Sequence, residues 1–186
     1  MLKSKDFKRI YELLDEEICD FDCGAVCASR NQQGVPYCCD NETAMPVLYH
    51  QEYKYLKKRT DLWKKHKTKK SEKLEDLEYQ IYAHCKGPAF CERQHRGVVC
   101  RNFPTYPYFD EKGNCIALFF NRTLKGQCYL IDRPALIRKE YIRQNIEFWN
   151  YILPKVPGEW EFYRSFEKSM EKMVKRHDKN FVLLWP

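Results

Sequence analysis

Hydrophobic positions near the start of the chain recur at helical spacing. Phe7, Ile10, Leu14 and Ile18 follow Ser4, a candidate N-cap, and predict a first helix ending near the opening cysteines. Gly24, Gly34 and Pro36 then break the region from Cys23 to Cys39 into loop. From Pro46 the stretch reaching Cys85 reads as one or two helices, interrupted around "HKTKKS". "YFDEKGNCIALFF" and "GQCYLI" predict short strands, the first pair turning at Lys112 and Gly113 and the second carrying Cys128. Asp132 is expected to cap a helix with Arg133 and Pro134 in its first turn, and its apolar stripe is Ile142, Ile146, Trp149 and Leu153, ending at Pro154. A last helix follows "PKVPG". There Tyr163, Phe166, Met170 and Met173 repeat at three and four residues, the mark of a packed face rather than a cofactor site.

The fold class expected from this pattern is α+β and mainly helical: an irregular cysteine-rich metal-binding centre with a small antiparallel β element and C-terminal helices. A single domain is expected over 1–186, with a cysteine-rich core at about 19–131, a Lys-rich helical insertion at about 46–84 and a helical part at about 132–180. A chain of 186 residues with 44% hydrophobic content can bury a core without covalent staples. The N-terminus lacks the apolar core of a secretory leader, and no window approaches the roughly 18 apolar residues of a membrane span. The expected location is cytoplasmic, with no membrane association.

That expectation changes how the ten cysteines are read. In a reducing compartment thiols stay reduced, and exposed ones are open to oxidation unless they are buried, catalytic or bound to metal. A disulfide-rich secreted protein is the rival, since an even cysteine count permits it, but the long Lys-rich middle does not resemble a small stapled scaffold. Two groups stand out. Cys23-x3-Cys27 leads to the Cys38-Cys39 pair, and Cys85-x5-Cys91-x8-Cys100 is followed by Cys115 and Cys128. Thiolates are soft ligands that select iron–sulfur clusters, zinc or copper(I), and these nine candidates suffice for two centres of four thiolates each. The spacings differ from the C-x2-C knuckles of zinc ribbons and from the C-x3-C-x2-C of radical enzymes that use a sulfonium cofactor. Cys19, on the apolar side of the expected first helix, reads equally well as a buried structural thiol and is left out of the ligand set. His84 and His95 adjoin the second group as candidate replacements for a thiolate.

The stretches "CGAVC", "YCCD", "PVLYHQEYKYL" and "GVVCRNFPTYPYFDEKGNC" resemble the YkgJ-type cysteine-cluster proteins, described as zinc- or iron-chelating and as containing iron–sulfur clusters. The resemblance runs from about Cys23 to Cys128. Cys23, Cys27, Cys38, Cys39 and Cys100 correspond best to that family's spaced cysteines, its CC pair and its later cysteine followed by an aromatic and a proline. Cys85, Cys91, Cys115 and Cys128 correspond more loosely. The resemblance implies an iron–sulfur cofactor, 4Fe-4S first, with zinc as the alternative. It extends to the cysteine-rich part of flagellin lysine N-methylases, which implies a cluster-dependent transferase as an alternative function, although no Gly-rich nucleotide loop follows a strand.

A net charge of +7 biases the chain toward anionic partners without naming one. The run "KKRTDLWKKHKTKK", with Trp63, Tyr53 and Tyr55, offers charge and aromatic faces for RNA, and the alternative it supports is a zinc-stapled interaction module binding RNA or protein through this segment, with RNA affinity that drops when Lys64, Lys65, Lys69 and Lys70 are neutralised. A solvated basic face is preferred, because acidic residues return in "SEKLEDLE". Arg101 and Arg133 are candidates for holding an anion or for pairing with carboxylates. No Ser/His/Asp set or His-Glu-x-x-His helix stands out, so no catalytic residue is assigned.

Overall fold

The structure is a computed structural model that describes residues 2–67, 79–177 and 181–186. Helix α1 spans Asp6–Leu13 and α2 Cys23–Ala28, after which β1 (Val47–Tyr49) runs directly into α3 (His50–Leu56). Strands β2 (Trp63–Lys65) and β3 (Gln80–Cys85) precede α4 (Val98–Asn102), and β4 (Thr105–Phe109) and β5 (Cys115–Phe120) form a hairpin. The chain continues through α5 (Tyr129–Asp132), α6 (Lys139–Ile152) and α7 (Glu159–His177) to β6 (Leu183–Leu184). Helices outweigh strands, and the strands form two antiparallel sheets ordered β1-β3-β2 and β4-β5-β6, so the α+β expectation holds. Among the described residues no helix is long and apolar enough to cross a membrane.

Helix α1 is shorter than its apolar spacing suggested. It stops at Leu14, because Asp15, Glu16 and Glu17 would place three carboxylates at the negative end of the helix dipole. Ser4 does not cap it; Lys5 holds the N-cap position, and the Lys3 N–H donates to Asp6 Oδ2 at 2.7 Å. Phe7 and Ile10 are fully buried, each contributing about 1.5–3 kcal/mol to the packed state.

Where a helical insertion was expected at 46–84, the described residues hold three strands, β1, β2 and β3, beside the short α3; residues 68–78 lie outside the described residues. Val47 pairs with Tyr82, and Trp63 pairs with Cys85, so β3 is the centre of a sheet that the short α3 adjoins in sequence. The segment holds a period of two as well as one near 3.6: Ile81 and Ala83 alternate inward along β3, and Trp63 points inward while Lys64 and Lys65 face out. Lys69, Lys70 and the acidic run after them lie outside the described residues. "GQCYLI" is also corrected: Cys128 is the N-cap of α5, not a strand residue. Asp132 ends α5 instead of capping the next helix and pairs with Arg30 at 2.9 Å, and α6 begins only at Lys139 after a 3-10 turn at Pro134–Leu136.

The β4–β5 turn falls where expected. Gly113 has φ +86°, and Asp110 Oδ1 accepts the N–H groups of Lys112 and Asn114 at 2.9 and 2.8 Å. The stripes of α6 and α7 are likewise packed: Ile142, Phe148, Trp149 and Ile152 are buried on α6, and Met170 and Val174 on α7. Phe166 of α7 packs against Tyr106 with ring centroids 4.8 Å apart.

One buried carboxylate ties the N-terminal half together. Glu52 sits at the third position of α3 and closes a capping box with Tyr49, whose N–H donates to Glu52 Oε2 at 3.1 Å. Glu52 Oε1 accepts Tyr11 Oη at 2.9 Å and the Val98 N–H at 2.6 Å, so α1, α3 and α4 meet on one side chain. Gly97 makes the approach of α4 possible, because a Cβ there would collide with Leu48 Cδ2.

Candidate metal centre

Between α2, α4, α5 and the loops lies a chamber of about 310 Å³, and nine of the ten cysteines line it. All ten are free thiols. On α2, Cys23 and Cys27 stand four residues apart and therefore share a face. Asp22 caps that helix by accepting the Ala25 N–H at 3.1 Å. The loop expected between Cys23 and Cys39 thus begins as a helix and ends as a 3-10 turn, Tyr37–Cys39.

Cys128 reaches Cys27 from the other end of the cysteine-rich region. The Tyr129 N–H donates to Cys27 Sγ at 3.4 Å, and the Cys128 thiol donates to the same sulfur. The hydrogen bond from Cys128 lowers the Cys27 thiol to about 6, and the same bond raises Cys128. Cys38 and Cys39 behave alike: the bond from Cys38 lowers Cys39 to about 7, while Cys38 is raised by that bond and by burial.

Cys85 ends β3, where Asn41 takes its backbone N–H at 3.0 Å and donates to its carbonyl at 2.7 Å, docking the strand end beside the Cys38–Cys39 turn. The Gly87 N–H donates to Cys85 Sγ at 3.4 Å. Arg96 Nε donates to Cys91 Sγ at 3.0 Å, and the same guanidinium lies in the field of Cys100 and Cys39. Burial pushes the thiols of Cys85 and Cys100 up, and that of Cys23 to about 12. Three sulfurs thus accept N–H hydrogen bonds from the chain, an arrangement that stabilises thiolates.

Eight of the nine candidate ligands taken from the sequence line the chamber, and Cys115 does not. It is a core residue of β5, 2% exposed, with its thiol turned to the Ala117 carbonyl at 3.4 Å and raised by burial to about 12. Both of its backbone groups are held by Asn150. Cys19 takes its place on the chamber wall, 1% exposed, donating to the Phe21 carbonyl at 3.2 Å. The early end of α1 releases this segment to fold toward the sulfurs.

No histidine lines the chamber among the described residues. His84 alternates to the outer side of β3 and meets His66, with 2.7 Å between ring nitrogens, and His95 Nδ1 is 2.6 Å from Glu92 Oε2. Arg101 is engaged mainly by backbone carbonyls, with Asp15 Oδ1 at 4.0 Å. It donates to the carbonyls of Leu14, Arg93, Gln94 and Arg96 at 2.7 to 3.2 Å and so fixes the loop that carries Arg96. Arg133 lies over the Tyr129 ring, 5.1 Å from its centroid.

Two residues of this site escaped the sequence reading. Arg96, set between Cys91 and Cys100, carried a usable signal, because a cation within a run of thiols lowers the cost of gathering anionic sulfur. Glu52 was legible only as the acidic third position of a capping box. Beside the chamber, across Phe103, lies a cavity of about 80 Å³ whose walls include Asn102 and Trp149. Among the described residues no three His, Cys, Asp or Glu side chains converge closely enough to hold a single metal ion. Comparison with protein-family models, with curated proteins and with solved structures finds no match. The likeness to the cysteine-cluster family therefore rests on the quoted motifs alone.

Proposed function

We propose that this chain is a cytoplasmic metal-binding protein whose chamber holds an iron–sulfur centre on cysteine thiolates, serving electron transfer or a cluster-dependent modification. The observation that carries the reading is the gathering of nine free thiols, from Cys19 to Cys128, around one volume of about 310 Å³. Burying so many ionisable sulfurs together costs free energy that hydrophobic side chains would not, and a bound cationic centre offsets it. The all-sulfur lining suits soft metals. The spread of the thiols over the wall favours a polynuclear body, because a single zinc ion would need four sulfurs drawn to about 2.3 Å from one point. When bound, such a cluster supplies one-electron chemistry. The N–H groups of Gly87, Tyr129 and Arg96 would hold the sulfur charge.

The RNA-binding alternative loses Trp63 as a stacking face. Trp63 is 3% exposed and donates to the His95 carbonyl at 2.8 Å, so it offers no stacking face. Tyr55 packs on Tyr11, with centroids 5.5 Å apart, beneath Arg59.

Anaerobic purification followed by an absorption spectrum and analysis of iron, sulfide and zinc tests the proposal. A brown protein absorbing near about 400 nm with matched iron and sulfide is expected. A colourless protein carrying stoichiometric zinc transfers the site to the alternative metal, and a protein with neither metal defeats the reading.

A further inference from the structure

The order of cysteines along the chain suggests one early and one late group, but their positions in space divide them differently. Cys19 and Cys23 share a side-chain hydrogen bond, Cys27 lies one helical turn beyond Cys23, and Cys128 donates to Cys27. These sulfurs surround the contact between α2 and α5. On the opposite wall Asn41 joins the end of β3 to the turn that carries Cys39, placing Cys85 in the field of Cys39. Arg96 faces Cys91, Cys100 and Cys39 together. Two walls therefore present four sulfurs each, one around a helix contact and one around a guanidinium.

Cys38 belongs to neither wall. Successive residues of a 3-10 turn diverge by about 120°, so Cys38 and Cys39 cannot aim at one centre with equal reach. The Cys38 sulfur bonds to Cys39, and its other sulfur neighbours are Cys100 of one wall and Cys23 of the other. It stands at the boundary.

Resting on the metal-binding reading above, we infer that the chamber holds two metal centres, one on Cys19, Cys23, Cys27 and Cys128 and the other on Cys39, Cys85, Cys91 and Cys100, with Cys38 lying between them as a non-ligand. The two centres differ in surroundings. Arg96 acts on Cys91, Cys100 and Cys39, with Asp22 opposing it at Cys39, whereas in the first set Arg30 and Asp132 act on Cys27 and Asp22 on Cys23.

The test is metal counting on the parent chain and on Cys128→Ser, Cys91→Ser and Cys38→Ala, purified anaerobically and checked for native circular dichroism. With 4Fe-4S centres the parent is expected to hold about eight iron atoms and about eight sulfides, because each cubane takes four thiolates. Cys128→Ser and Cys91→Ser should each retain half, with different electron paramagnetic resonance signals after reduction, and Cys38→Ala should retain all. A parent with about four irons leaves the metal-binding reading standing and overturns the two-centre division. Loss of all iron from a folded Cys128→Ser or Cys91→Ser chain, or loss of iron from Cys38→Ala, also overturns it. A parent without metal overturns the reading beneath it. The parent count decides the matter even where a variant fails to fold.

Discussion

The wall of the thiol chamber and the layer formed by α6, α7 and the β4–β5 hairpin are built on opposite plans. The chamber is assembled from short pieces: a six-residue helix, single 3-10 turns, a strand end and the five-residue α4. The other layer uses helices of 14 and 19 residues over a hairpin, with Phe148, Leu118 and Ile152 fully buried. Regular elements distribute side chains evenly over a face and so make continuous cores. Aiming nine sulfurs at one volume requires frequent changes of backbone direction, and each change gives up packing. Long regular elements in this molecule are concentrated in one region and the thiols in the other.

The sharpest way to break that division is to damage the regular layer. Phe148→Ala is expected to cost about 3–5 kcal/mol, read as a lowered denaturant midpoint at unchanged slope, because it empties the centre of α6. If the metal-free protein tolerates it as readily as a chamber substitution, the two plans are not energetically distinct.

How far the division could be read from sequence depended on element length. The α6 and α7 stripes and the Lys112–Gly113 turn were legible, because long amphipathic repeats and a glycine turn depend on local sequence. The segment 46–84 was misread because Val47–Tyr49 and Gln80–Cys85 are too short to display a period of two clearly, and their pairing is decided across thirty-odd residues. The same limit applies to the site. That cysteines gather was readable from their number, but not which ones: Cys115 and Cys19 exchanged roles because a strand interior and a helix end could not be placed in advance.

The next effect tests the interface between the regions. Glu159 opens α7 and is fully buried; its Oε1 accepts Tyr49 Oη at 2.5 Å and Gln80 Nε2 at 2.9 Å, while Oε2 has no partner. Burial raises its carboxyl from 4.5 to about 7. The folded state therefore holds this proton more tightly than the unfolded chain does. The group costs nothing below pH 4.5, and its cost grows to full size above pH 7. Glu159→Gln should remove a decline in stability on the order of 3 kcal/mol across that window. Parallel stability profiles for the parent and variant from pH 4.5 to 8 would contradict the assignment.

Gly97→Ala is smaller, about 1–3 kcal/mol, since the added methyl meets Leu48, Glu52 and Trp63 at the entry to α4. It should also lower metal occupancy, because Cys100 moves with that helix, and unaltered metal content in a destabilised variant would separate the two effects. The smallest change is expected at Cys115→Val, under about 1.5 kcal/mol and with full metal content, as this thiol belongs to the regular layer. Loss of metal there would return Cys115 to the ligands.

The hydrogen bond from the Tyr129 N–H to Cys27 Sγ spans 102 residues of sequence. During synthesis, then, the earliest sulfurs leave the ribosome long before their counterpart exists. A nascent chain carries Cys27 unmatched until 102 further residues have been added. Any centre that needs Cys27 and Cys128 together could therefore form only after this later segment has been made.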